Sequence, residues 1–352
     1  MRRTRAVHAL PATALSAALV ALGAGAAHAA PHATAHAAKP MPAHVAAPYF
    51  EAWTGESPAA LAAESGNKYL TLAFLQTPAV GSCTADWNGD ATQPVAAGTF
   101  GADIAALQAR GGNAIPSFGG YSADTTGTEL ADSCTDVDAI AGVYEKLVTT
   151  YGISRIDLDV EADSLADTAG IDRRNKAIAK AEHWAGRTGH PLQFSYTLPT
   201  TTKGLEDDAL AVLENAVADH ARVDVVNIMT FDYYDGAAHD MATDTKTAAD
   251  GLHAQLHALY PHKSAKDLWG TIGVTEMPGI DDYGPAETFT TQNAATVERW
   301  AAAQGIDTLS FWALQRDNGD CVGTAGANAC SGIAQDPWYF SHTFARFGAP
   351  RR

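Results

Sequence analysis

The sequence predicts an eight-stranded α/β barrel, and three observations carry that prediction. Eight short apolar segments recur between residues 48 and 314 and read as buried strands. Between most consecutive pairs lies a longer segment of helical periodicity, the alternation of a parallel sheet covered by helices. The first strand runs into Trp53-Thr54-Gly55-Glu56-Ser57, which is no glycine-rich phosphate loop. That argues against the alternative, a doubly wound open sheet. At 352 residues and 46% hydrophobic content, the chain has room and apolar surface for one such barrel.

In order, the strands are expected at Pro48–Trp53, Tyr69–Leu75, Asn113–Ser117, Arg155–Glu161, Leu192–Leu198, Val223–Phe231, Leu268–Val274 and Thr308–Leu314. Helical patterns separate them at Ala102–Arg110, Val137–Tyr151, Asp172–Thr188, Leu205–Asp219, Thr245–Leu259 and Thr291–Gln304. Between the first two strands, Pro58–Ser65 has to serve as a short helix.

Ahead of the barrel, Met1-Arg2-Arg3-Thr4-Arg5 is a basic start, Ala9 to Ala24 a small apolar run, and Ala27-His28-Ala29 a small-residue cleavage site. Together they predict a secretory signal peptide over residues 1–29, and so an exported, extracellular protein. Residues 30–46, rich in Ala, His and Pro, read as a linker, leaving 47–348 for the barrel. The linker's histidines are irregularly spaced, so no metal is expected there, and no cofactor is expected elsewhere. No later stretch is long and apolar enough to span a membrane. A net charge of -17 argues against nucleic acid and anionic membranes as partners and fits a neutral or cationic substrate. A monomer is expected.

Four cysteines in an exported chain suggest two disulfides. Cys321 and Cys330 enclose a short Gly/Ala loop and are expected to pair. That leaves Cys83 with Cys134, both in loops that follow strands.

The fourth strand carries the chemistry. In Ile156-Asp157-Leu158-Asp159-Val160-Glu161, three carboxylates alternate with three apolar residues. Period two puts Asp157, Asp159 and Glu161 on one face of a strand and Ile156, Leu158 and Val160 on the other. An edge strand with its acidic face in water is the alternative, but this strand sits mid-chain among strongly apolar ones. Inside a barrel such a row costs several kcal/mol per group unless partners are found, and like charges push carboxyl pKa values up. A general acid at neutral pH needs that shift.

Other strand ends add a matching set. The third strand ends in Ser117-Phe118-Gly119-Gly120, and the fifth carries Gln193, Ser195 and Thr197 on one face. The sixth ends in Met229-Thr230-Phe231-Asp232-Tyr233-Tyr234-Asp235, the seventh runs into Thr275-Glu276-Met277-Pro278, and the eighth carries Phe311-Trp312. Barrel active sites lie at this C-terminal rim. Aromatic faces stack on pyranose rings, while amides and hydroxyls bind sugar hydroxyl and acetamido groups.

These residues carry a resemblance. Asp157-x-Asp159-x-Glu161, Ser117-x-Gly119-Gly120, Met229-x-x-Asp232 and Trp312 resemble, in order, the motifs of glycoside hydrolase family 18, the chitinases. The local phrases Asn227–Tyr233 and Leu309–Leu314 are similar to secreted actinobacterial members. The likeness spans roughly residues 47–347 and implies a (β/α)8 barrel that cleaves β-1,4-linked N-acetylglucosamine in chitin or a related glycan.

The resemblance also implies a mechanism, in which the substrate's N-acetyl oxygen attacks the anomeric carbon. Glu161 is then the acid and later the base. Asp159 orients the acetamido group, and Asp157 shares a proton or hydrogen bond with Asp159. Asp232 binds the acetamido group or holds Glu161, Trp312 floors the pocket and Met229 lines its wall. Ser117, Gly119, Gly120, Gln193 and Tyr233 complete the expected substrate-binding set. Two departures stand out. Ser154 and Arg155 replace the family's leading Asp and following Gly, and Phe231 stands where many members carry a tyrosine that bonds the acetamido group. Either Tyr233 or another tyrosine replaces it, or turnover is slow. Two other functions fit the same barrel: an endo-β-N-acetylglucosaminidase acting on N-glycans, and a non-catalytic lectin or inhibitor, which typically loses the acid that Glu161 provides here.

Overall fold

Residues 39–348 are described by the structure, a computed structural model. The expected signal peptide and residues 30–38 of the expected linker lie outside them. The strands are β1 (Val45–Ala46), β2 (Tyr49–Glu51), β3 (Tyr69–Gln76), β4 (Asp86–Trp87), β5 (Asn113–Gly119) and β6 (Arg155–Asp159). They continue as β7 (Gln193–Pro199), β8 (Val225–Met229), β9 (Ile272–Glu276), β10 (Gly279–Ile280), β11 (Thr288–Phe289) and β12 (Thr308–Phe311). The sheet runs β1-β12-β9-β8-β7-β6-β5-β3-β2 with every neighbouring pair parallel.

The two ends of that order are one stretch of chain. Pro48 has no N–H to give a ladder, and the strand breaks there. Val45–Ala46 pairs with Thr308–Leu309, while Tyr49–Glu51 pairs with Thr71–Ala73. Ala47 N donates to Leu309 O at 3.2 Å, and Thr71 N donates to Pro48 O at 3.0 Å. One broken strand thus touches both the last and the second barrel strands and closes the curled sheet. Val45 and Ala46, expected in the linker, are buried members of the barrel.

The helices are α1 (Pro58–Ser65), α2 (Gly101–Ala109), α3 (Tyr121–Thr126), α4 (Leu130–Ser133), α5 (Val137–Tyr151) and α6 (Ala162–Ala166). They continue as α7 (Thr168–Thr188), α8 (Asp207–Ala218), α9 (Met241–Leu259), α10 (Ala265–Trp269), α11 (Thr291–Gln304) and α12 (Tyr339–Phe344). The α5 helix shows why they form. Asp136 caps its start by accepting from the N–H groups of Asp138 and Ala139, and Gly152 ends it in the left-handed region. Ile140, Tyr144, Leu147 and Tyr151 recur at helical spacing and face inward. They join the same core cluster as Ile156 and Leu158, the apolar side of β6. Among the described residues, no helix is long and apolar enough to cross a membrane.

Several strand ends differ from the sequence-based expectation, and three of them have a clear local cause. Leu268 lies in α10, whose Ser264 cap accepts from Asp267 N, so the seventh strand starts only at Ile272. The fourth strand stops at Asp159 because Glu161 is already the residue capping α6. The sixth stops at Met229, before a loop in which Asp232 and Tyr234 both take positive φ. Both cysteine pairs are bonded, Cys83–Cys134 with Cα atoms 4.7 Å apart and Cys321–Cys330 with 5.9 Å.

Candidate active site

The register of β5, β6 and β7 builds the centre. Ser117 stands beside Asp157 on one side and Ser195 on the other. Ser117 Oγ and Tyr49 OH donate to Asp157 Oδ2 at 2.7 and 2.9 Å. Ser195 Oγ and Thr197 Oγ1 donate to Oδ1 at 2.5 and 2.8 Å. Burial leaves Asp157 raised above the usual carboxylate range, with these four hydroxyls opposing the rise. Four donors fill the acceptor directions of both oxygens, which favours the ionised form of Asp157. This takes the place of the expected bond or shared proton between Asp157 and Asp159. Ser117, expected to touch substrate, is instead fully buried beneath the carboxylate row.

Asp159 is one pleat higher on the same face. Its Oδ1 is buried and has no partner. Burial first, then the charges of Glu161, Asp157 and Asp124, raise it well above the usual carboxylate range. A proton at the centre therefore resides there in preference to Asp157. Close approach of the chain needs glycine at both positions beside it. Gly119 and Gly120 have φ of +90° and +81°. A Cβ on Gly119 would run into Asp159 O, and one on Gly120 would sit 2.6 Å from Phe74 Cε2.

Glu161 is partly exposed at the rim. Burial, with the Asp232 charge adding to it, pushes its carboxyl up to about 7, against a lowering contact from the Tyr121 N–H. Its own N–H donates to Asp124 Oδ2 at 2.6 Å. Asp124, on α3, is 1% exposed and its Oδ1 has no partner. Burial and the neighbouring Glu129 push it up to about 9. Behind it, Glu129 pairs with the fully buried Arg174 at 2.7 Å.

Above this row lies a cleft of about 1000 Å³. Trp312 lines it, nearly parallel to Phe74 at 5.6 Å between centroids, and Phe74 in turn stacks on Trp53 at 6.4 Å. Asp159, Glu161, Met229, Phe231 and Asp232 all line it, as do Gly119 and Trp312. Burial, then the charge of Asp282, pushes Asp232 up to about 6. Trp53, Tyr121 and Tyr234 are the exposed aromatics at its edges.

Two further residues of the expected substrate-binding set stand elsewhere. Gln193 is at the N-terminal end of β7, where its Oε1 accepts from Arg155 Nη2 at 2.8 Å. It lies at the floor of the barrel, because period two places it two pleats below Thr197. Tyr233 turns its hydroxyl inward, buried and unpartnered, toward Glu276. Tyr234 is the tyrosine of that loop that lines the cleft. Phe231 lines it too, without a hydroxyl to offer.

Sequence reading missed Tyr49, Asp124 and the loop carboxylates Asp281 and Glu287. Asp124 had a faint signal, an acid five residues after Gly119, but nothing in sequence places α3 against Glu161. Asp232, Asp281 and Glu287 each bring a carboxylate oxygen within 4.8 Å of the others. Five of their six oxygens accept backbone N–H groups. Donors aimed at those oxygens suit carboxylates holding a loop, not a cation.

The fold and site define the class, an α/β-barrel enzyme with its acids at the C-terminal rim. Comparison narrows it. A sequence profile described as glycosyl hydrolases family 18 matches residues 45–273. The chain is 30% identical over 289 residues to a probable bifunctional chitinase/lysozyme of Escherichia coli, covering 79% of this chain and 31% of that protein. It is 29% identical over 293 residues to endochitinase 11 of Metarhizium anisopliae, covering 79% and 53%. The chain thus spans about a third of one of these curated relatives and about half of the other. Its structure is similar to the catalytic domain of a hyperthermophilic chitinase from Pyrococcus furiosus, with a TM-score of 0.76 and 28% identity over 90% of this chain and 99% of that one. It is also similar, with a TM-score of 0.77, to catalytic-site mutants of that organism's chitinase complexed with chito-oligosaccharides, at 28% identity over 90% and 100%. The chain belongs to glycosyl hydrolases family 18.

Proposed function

We propose that the protein is an exported chitinase acting as a monomer. It cleaves β-1,4-linked N-acetylglucosamine in chitin or its oligomers, with the substrate's own acetamido group as nucleophile. The observation that carries this reading is the division of labour along β6. Asp157 accepts from four hydroxyls, Asp159 keeps a buried unpartnered oxygen, and Glu161 is pushed up to about 7 at the cleft.

Glu161 donates its proton to the leaving oxygen and afterwards takes one from water. The free Asp159 Oδ1 accepts the acetamido N–H, which turns the carbonyl oxygen toward the anomeric carbon. As positive charge grows on the acetamido group, the Asp157 charge beneath Asp159 stabilises it. Trp312 supports the sugar face. The related Pyrococcus furiosus structure with chito-oligosaccharides supports the choice of substrate class. Two disulfides and the basic, apolar N-terminus support export.

A substrate series tests the reading. N-acetylglucosamine oligomers should be cleaved, whereas fully deacetylated chitosan and cello-oligosaccharides should be inert. A thiazoline analogue of N-acetylglucosamine should inhibit competitively. Efficient cleavage of cello-oligosaccharides would overturn substrate assistance and make Asp232 a covalent nucleophile.

A further inference from the structure

Two rim loops meet over the cleft, and carboxylates on each grip backbone of the other. Asp281 Oδ2 accepts Asp232 N at 3.1 Å, while Glu287 accepts Tyr233 N and Tyr234 N at 2.7 and 3.1 Å. In return Asp232 Oδ1 accepts Asp282 N and Tyr283 N at 3.0 and 3.2 Å. Asp281 Oδ1 closes its own loop on Gly284 N at 3.1 Å. The gripped loop needs holding, since Asp232 and Tyr234 both have φ of +52°, a conformation that non-glycine residues avoid. Asp281 is 1% exposed and Glu287 is fully buried. With all three carboxylates ionised and within 4.8 Å of one another, the grip opposes itself.

We propose that Asp281 is a positioning residue, which shares a proton with Glu287 and so clasps residues 231–234 to residues 281–284, setting Asp232 and Tyr234 over the sugar. It touches no reacting atom and acts through Asp232. Other groups face it without replacing that proton. Arg316, on the turn after β12, spends Nη2 on the carbonyls of Pro278 and Ile280 at 2.9 Å each. His239 reaches Glu287 at 3.9 Å but is held between Asp235 and Asp244. Tyr233, Tyr234 and Asp282 complete the surroundings. Burial pushes Asp281 up to about 8, with Asp232 and Glu287 adding to it and backbone N–H groups opposing. The sign follows directly. The shared proton is present below that value and lost as pH rises through it, so the clasp loosens on the alkaline side.

The inference rests on the proposed oligosaccharide substrate, and the test separates the two. In a Glu161→Gln background, which binds without turnover, the dissociation constant for a chito-oligosaccharide is measured at pH 6 and pH 9.5. With Asp281 native, binding should weaken at least tenfold at the higher pH. Asp281→Asn, permanently neutral, should bind as tightly at both. Glu287→Gln, which relieves the same repulsion from the other side, should behave alike and guards against one variant failing to fold. No binding at pH 6 with Asp281 native would sink the proposed function. Binding at pH 6 with the same pH dependence in all three proteins would sink the clasp alone. So would a loss of affinity in both variants that is equal at the two pH values, since a merely structural role gives that result.

Discussion

The backbone N–H of Glu161 rests on the Oδ2 of Asp124 at 2.6 Å, so the acid at the cleft is fixed by a residue on α3, the helix that follows β5. Burial keeps Asp124 protonated at neutral pH, leaving Oδ2 free to accept. Asp124→Asn preserves that acceptor and a neutral group, and should retain most activity. Asp124→Ala releases the Glu161 backbone. A misplacement of about 1 Å costs on the order of 100-fold in rate. Comparing kcat and KM of the two variants on chito-oligomers checks this, and equal losses in both would refute it.

The pH profile should report the Asp159–Glu161 pair, since neighbouring carboxyls titrate together. The acid must carry its proton, so kcat/KM is full below and falls as pH rises through about 7. The Asp232 charge helps hold Glu161 up. Removing it in Asp232→Asn should therefore move the alkaline limb to lower pH, whatever happens to kcat. A limb that stays in place or moves up would show that Asp232 does not act on Glu161. In Glu161→Gln, hydrolysis should fall by about 100-fold or more, with the limb abolished and oligosaccharide binding kept.

Stability should be most sensitive at the opposite end of the barrel. Arg155, 1% exposed, forms a two-point ion pair with Asp307 at 2.7 and 3.2 Å, with Thr308 and Gln193 completing its partners. Asp307→Ala leaves a buried guanidinium unpaired, which typically costs about 3–5 kcal/mol. Denaturant titration should show that loss, while the surviving folded enzyme keeps its pH profile. A cost within experimental error would mean that water reaches Arg155.

Much of this was legible in the sequence because it is periodic. Alternation along Ile156–Glu161 put three acids on one side and three apolar residues on the other, and the structure keeps that division through Asp159, where β6 ends. The bounds of α5 and α11 follow from apolar spacing and end signals such as Gly152 and Gly305, whereas α1 was required only by the strand order. The Cys321–Cys330 pairing follows from the shortness of its loop. Pleat geometry even contained the answer for Gln193, four residues from Thr197 and so two pleats below the rim, but its residue type suggested a sugar contact.

Tertiary structure alone decided the rest, because those relations join distant parts of the chain. Tyr49 reaches Asp157 across 108 residues, and Asp281 reaches Asp232 across 49. No local pattern records which hydroxyls will fill a carboxylate's lone pairs, or which loop will meet another over a cleft. Closure itself depended on the break at Pro48, which lets one short strand face both ends of the sheet. The sequence by itself set the order of elements and the acidic row. Packing fixed where each proton resides, since burial and neighbouring charge, rather than residue type, separate Asp157, Asp159, Glu161 and Asp281.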